Sequence, residues 1–179
     1  MPENDVAPAA LSGATVFIKP KRARPFFGRH PWVLESAILR VDGEPASGAV
    51  VDVVTHDGNF IARGLWNASS RIRIRLYTFV ENEAVDETFL RTRIENAFSL
   101  RQSFGLHSEK SGCRLINSEG DSLSGIIVDQ YGPYLALQVT ALAMAERLDM
   151  ICDSLENLLR PKGILLRGAE RGLGKLEGL

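Results

Sequence analysis

Residues 49–66, AVVDVVTHDGNFIARGLW, decide how the first half of the chain folds. Ala49–Thr55 is dominated by β-branched residues, Asn59–Trp66 is apolar and aromatic, and Asp57-Gly58 lies between them. Two strand-like runs joined through Asp-Gly read as a β-hairpin. The next run, Arg71–Tyr77 (RIRIRLY), alternates strictly. Arg71, Arg73, Arg75 and Tyr77 share one face and Ile72, Ile74 and Leu76 the other, which is the period of a half-buried strand with a basic outer face. Upstream, Ala14–Lys19 and Ser36–Val41 are two more strand candidates. Pro20, Pro25 and Pro31 hold Lys21–Trp32 as loop or a short helical turn. Five short strands with little helix predict a small β-barrel over residues 14–77.

Beyond residue 78 the pattern changes. Asp86 is placed to cap a helix running to Phe104, with Gly105 as its C′ residue. Leu90, Ile94, Ala97 and Phe104 form its apolar stripe. Cys113–Asn117 reads as a strand, and Gly125–Gln130 and Tyr134–Val139 as a hairpin through Tyr131-Gly132-Pro133. Ala143–Leu159 is an amphipathic helix, with Met144, Leu148, Ile151, Leu155 and Leu158 on its apolar side. Pro161 and Gly163 stop it before a last strand, Ile164–Arg167. The expected fold class is α+β: a small N-terminal β-barrel at 14–77, then a small α/β domain with antiparallel strands and two helices at 78–170. Residues 1–13 read as a disordered leader and 171–179 as the start of a linker.

Composition narrows the function classes. The 179 residues are 45% apolar and 24% charged, ordinary values for a globular protein. They are too apolar for disorder, and no apolar run approaches the ~20 residues of a membrane helix. Met1–Gly13 lacks the basic start and apolar core of a signal peptide, and the expected compartment is a reducing cytoplasm. The net charge of −1 hides an asymmetry. Residues 1–75 hold ten basic and seven acidic side chains, residues 76–179 eleven and fifteen. A basic first half is the electrostatic footprint of a polyanion partner.

Catalytic signatures are missing. No G-x-G-x-x-G opens a helix after a strand, no P-loop occurs, and residues 121–125 read DSLSG rather than G-x-S-x-G. His30, His56 and His107 are scattered, and Cys113 and Cys152 have no zinc spacing, so no metal is expected. Cys152 falls on an apolar helix position, as a small buried thiol would.

The stretch with positive content is Lys19–Trp32, KPKRARPFFGRHPW. It interleaves cations, which suit phosphates, with flat rings, which suit unstacked bases. The candidate RNA contacts are Lys19, Lys21, Arg22, Arg24, Arg29, His30 and Trp32, joined by Arg63, Arg71, Arg73 and Arg75. Phe26, Phe27 and Trp32 read alternatively as rings of the small core, which is the favoured reading for Phe27 and Trp32, and Trp32 stays among the contacts. The arginine row has an alternative in cross-strand pairing with acids such as Asp52. The glycine of Ala62-Arg63-Gly64 marks a close approach of backbone or ligand.

Three blocks carry a family resemblance: GRHPWVLESAI at 28–38, DGNFIARGLWNASSRIRIRLYTF at 57–79 and CRLINSEGDSLSGIIVDQYGPYLALQV at 113–139. In order and spacing they resemble the N-terminal part of the PUA-containing, S-adenosylmethionine-dependent 23S ribosomal RNA (cytosine-C5) methyltransferases. The matching positions are Arg29–Trp32; Ala62–Gly64 with Ser70, Ile72, Arg73 and Arg75; and Arg114-Leu115 with Glu119–Tyr131. The resemblance implies an RNA-binding PUA barrel followed by an α/β domain. It places the cofactor site and catalytic cysteine in a later Rossmann-like domain that this sequence does not contain. Leu176-Glu177-Gly178 fits the family's pattern before that domain, and the residues just upstream depart from it. The implied role is RNA binding and targeting without methyl transfer by this chain. The alternative is a stand-alone RNA-binding or protein-interaction module. Ribosomal RNA is the implied partner, no cofactor is expected in this chain, and a homodimer stays open.

Overall fold

The computed structural model describes residues 13–106 and 112–167. Residues 1–12 of the expected leader, His107 and the expected linker at 171–179 lie outside the described residues. The first sheet has six strands: β1 (Ala14–Ile18), β2 (Trp32–Leu34), β3 (Ile38–Asp42), β4 (Val50–Val54), β5 (Phe60–Trp66) and β6 (Ile72–Thr78). Their order is β2-β6-β5-β4-β1-β3, a curled half-barrel in which only β1 and β4 run parallel. The sequence predicted five strands. The sixth, β2, starts just after Pro31, where the chain regains its backbone donors and pairs antiparallel with β6. Within the proline-rich stretch a single helical turn forms, α1 (Arg24–Phe27), with Pro25 in its first turn.

The β4–β5 hairpin forms as expected, but its connection is longer than two residues. The Thr55 and Asn59 N–H groups bond back across the loop, and Gly58 takes φ +94°. At Gly64 the closest neighbour is backbone. A Cβ there would lie 2.3 Å from the Arg75 carbonyl oxygen, so the glycine admits the β6 backbone at a register shift. Val16, Ile18, Val33, Val51, Val53, Ala62 and Ile74 fill the half-barrel.

The second sheet comprises β7 (Gly112–Asn117), β8 (Ile126–Tyr131), β9 (Tyr134–Val139) and β10 (Gly163–Arg167), in the order β10-β9-β8-β7. It is not wholly antiparallel. β10 runs parallel to β9, because the helices between them return the chain to the same end of the sheet. Helix α2 (Glu87–Ser103) is capped by Asp86, which accepts the Phe89 N–H at 2.8 Å, and Gly105 follows at φ +65°. Leu90, Ile94 and Ala97 are buried, but Phe104 is not. It is the C-cap residue, beyond the last helical turn, and leaves the stripe.

The expected helix at 143–159 is two: α3 (Leu142–Ala145) and α4 (Leu148–Leu159). Arg147 sits at the break. Its guanidinium donates to the Ala143 carbonyl at 2.7 Å and to the Gly48 carbonyl at 3.0 Å, tying the corner to the first sheet. The two sheets also share apolar surface: Leu65 and Tyr77 of the half-barrel are buried in one cluster with Leu90, Leu115, Leu123, Ile126 and Met144.

Candidate nucleic-acid interface

The eleven predicted contact residues divide into two groups. Lys19, Lys21, Arg22, Arg24, Arg29 and His30 are exposed along the loop between β1 and β2. Phe26 turns into the core, whereas Phe27 is 66% exposed among these cations. This corrects the reading of Phe27 as a core ring. Adjacent residues in a helical turn point about 100° apart, so only one of the pair can face inward.

Arg29 occupies a costly position. The Gly28 and Arg29 N–H groups bond the Pro25 and Phe26 carbonyls, and the His30 N–H bonds Pro25 again. This closes α1 with Arg29 at φ +60°, where glycine is the ordinary residue. A cation placed there holds its guanidinium 5.8 Å from the Phe79 ring, at the mouth of a cleft of about 510 Å³ between the two sheets. Pro31, Thr78, Glu119, Ser122 and Ser124 also line this cleft. Strained backbone of this kind clusters at active sites and ligand clamps. Arg29→Gly is therefore expected to leave stability unchanged or raise it by up to about 1 kcal/mol while weakening RNA binding severalfold. Chemical denaturation beside a binding titration checks both halves.

The second group lies largely within the fold. Arg63 is 2% exposed. It pairs with Asp52, its cross-strand neighbour, at 2.6 and 3.2 Å and donates to the Glu81 and Glu83 carbonyls. Arg75 is 7% exposed. The basic outer face expected of β6 is therefore corrected: the second sheet's connection covers its end, Arg75 is enclosed, and Arg73 is half-buried against Glu35 at 2.9 Å. Arg71 alone of the row stays exposed. The alternative of acid pairing holds for Arg73 and Arg75, with Glu35 and Glu119 as partners, while Asp52 takes Arg63.

Glu119 is the residue that sequence reasoning missed as a keystone. One of its oxygens accepts from the Trp32 indole N–H at 2.9 Å, from Arg75 at 3.2 Å and from the Ser124 hydroxyl at 2.7 Å. Arg75 also donates to Ser124 at 2.9 Å. Partial burial opposes the charge on Glu119. Hydrogen bonds from Ser124, the backbone, Ser118 and Trp32 outweigh it, and the pKa falls below the ordinary value. The three sequence blocks thus meet at one junction: Trp32 from the first, Arg75 from the second, Glu119 and Ser124 from the third. Trp32 itself is half-buried and engaged there.

Among the described residues no group of His, Cys, Asp and Glu could hold a metal ion, and no helix is long and apolar enough to cross a membrane.

Residues 16–79, which contain the whole basic loop, match the family described as PUA-like domain. That stretch is similar to the PUA-like domain. More particularly, most of the chain's length is homologous to proteins named Ribosomal RNA large subunit methyltransferase I. It is 32% identical over 166 residues to the one from Aeromonas hydrophila, covering 93% of this chain and 42% of that protein. It is 38% identical over 122 residues to the one from Shewanella amazonensis, covering 68% and 31%. The chain spans 42% and 31% of the length of these two relatives. Among solved structures, a protein assigned as a SAM-dependent methyltransferase of Streptococcus mutans superposes with a TM-score of 0.71 at 15% identity, over 86% of this chain and 40% of that one. A second, an assigned methyltransferase complexed with SAH, gives 0.66 at 16% identity with the same coverage. At these identities the likeness is one of fold.

Proposed function

We propose that this chain is the RNA-targeting portion of an S-adenosylmethionine-dependent 23S rRNA (cytosine-C5) methyltransferase. In this reading it works in the cytoplasm, with residues 14–77 as its RNA-binding domain and 78–170 as an α/β domain braced against it. The observation that carries the reading is the loop Lys19–His30, where five exposed cations surround an exposed Phe27. That is the combination a single-stranded or looped RNA calls for. The names of the relatives support ribosomal RNA as the partner.

Methylation at C5 of cytosine needs a thiolate that adds at C6. Cys152 is packed against the second core. Burial, then the charges of Glu156, Asp149 and Asp153, push its thiol pKa up. Such a thiol is a poor nucleophile. Cys113 is half-buried at the start of β7. No glycine-rich turn leads from a strand into a helix among the described residues. In this reading neither thiol carries a methyl-transfer step. The chain binds RNA and leaves the chemistry to another domain.

Calorimetric titration of the 179-residue chain with a 23S rRNA fragment and, separately, with S-adenosylmethionine tests this. RNA affinity that weakens with salt, and no cofactor affinity, are the expected results. Cofactor binding would put a methyltransferase site in this chain, and failure to bind the rRNA would remove the targeting role.

A further inference from the structure

We propose that the outer face of the second sheet is a stacking platform for unstacked bases of single-stranded RNA, separate from the basic loop. The inference rests on the RNA-binding reading and adds a second contact surface to it. One face of the sheet is buried: Ile126, Val128, Leu135 and Leu137 lie in a core with Leu90, Ile94, Ile151 and Leu155 of α2 and α4. The opposite face carries a row that crosses all four strands in register, Gly112, Tyr131, Tyr134 and Gly163. A Cβ on Gly112 would meet the Tyr131 ring at 3.7 Å, and one on Gly163 would meet the Tyr134 ring at 3.6 Å. Each ring therefore lies beside a glycine, where no neighbouring side chain covers it. Tyr131 and Tyr134 are 59% and 54% exposed, and Leu165, one register step along on β10, is 66% exposed.

The charge around the row favours a nucleic acid. Arg114 sits on this face, held by Asp129 at 2.8 and 3.1 Å. Arg167 shares the face at the end of β10. Among the described residues two arginines thus stand on this face against one acid, which pairs with only one of them. Flat rings edged by arginines suit bases and their phosphates.

The test uses the full chain with a ten-nucleotide single-stranded RNA and a blunt RNA duplex of the same length. Tyr131→Ala/Tyr134→Ala is expected to weaken single-strand binding about 10- to 100-fold and duplex binding much less, while Tyr131→Phe/Tyr134→Phe keeps the parent affinity. Circular dichroism checks the fold of each variant. Photo-crosslinking of the parent chain to 4-thiouridine RNA, expected at Tyr131 or Tyr134, needs no variant. Parent-like single-strand affinity in the alanine pair would overturn the proposal. So would an alanine pair that loses only self-association in sedimentation, which would make the face a protein interface. If the platform alone is wrong, the tyrosine variants bind like the parent while charge reversal in the basic loop still abolishes binding. If the parent chain binds neither RNA, the RNA-binding reading falls and the platform with it.

Discussion

Glu119→Ala is expected to destabilise the chain by about 3 kcal/mol, the low end for breaking a buried ion pair from one side. The substitution removes one acceptor that serves Trp32, Arg75 and Ser124 together. It leaves a guanidinium whose side chain is 9% exposed without its counter-charge. The low end applies because Glu119 is itself 31% exposed and because Arg75 keeps its bond to Ser124. Glu119→Gln retains an acceptor and should cost less than half as much. Because the folded pKa of Glu119 is depressed, the stability it adds is fully present above its ordinary value of 4.5 and is lost as pH falls through the lower folded value. Urea unfolding followed by tryptophan fluorescence at pH 7 and below pH 4 reads both effects. A loss under about 1 kcal/mol at pH 7, the range of exposed pairs, would mean that the junction does not hold the two sheets together.

The second large effect concerns binding. Reversing Arg22, Arg24 and Arg29 to glutamate should weaken affinity for an rRNA fragment at least about 100-fold at physiological salt, since three phosphate contacts are lost and three repulsions gained. All three side chains are exposed and sit outside both cores, so the fold should survive. The matched control is Arg63→Glu. It is predicted to damage folding, because Arg63 is enclosed between Asp52 and the carbonyls of Glu81 and Glu83. Parent-like binding by the triple variant would remove the loop from the interface.

Much of this architecture is legible in the sequence wherever local chemistry decides. The alternation of Arg71–Tyr77, the Asp57-Gly58 turn, the Asp86 cap and Gly105 each specify their own element. The basic loop is visible for the same reason, since prolines and charges act locally. What the sequence does not show is long-range. The alternation of β6 predicts that Arg73 and Arg75 share the outer face. It cannot predict that Glu119, 44 residues after Arg75, folds over that face and encloses it. Phe26 and Phe27 are identical in composition terms, and only the helical turn between Arg24 and Phe27 decides which ring is buried. The split of α3 from α4 depends on Arg147 reaching the carbonyl of Gly48, 99 residues upstream. The resemblance blocks outperform periodicity here, because their residues come together as Trp32, Arg75, Glu119 and Ser124. Spacing alone gives no hint of that meeting.

The central claim is that exposed cations of the Lys19–His30 loop hold ribosomal RNA by its phosphates. The most direct measurement is the salt dependence of binding between the 179-residue chain and a 23S rRNA fragment. It is compared with a variant in which Arg22, Arg24 and Arg29 are glutamine. The account predicts a log–log slope of about −2 to −4 for the parent, and a slope shallower by about 2 for the variant. A parent slope near zero, or the same slope in both proteins, would contradict it.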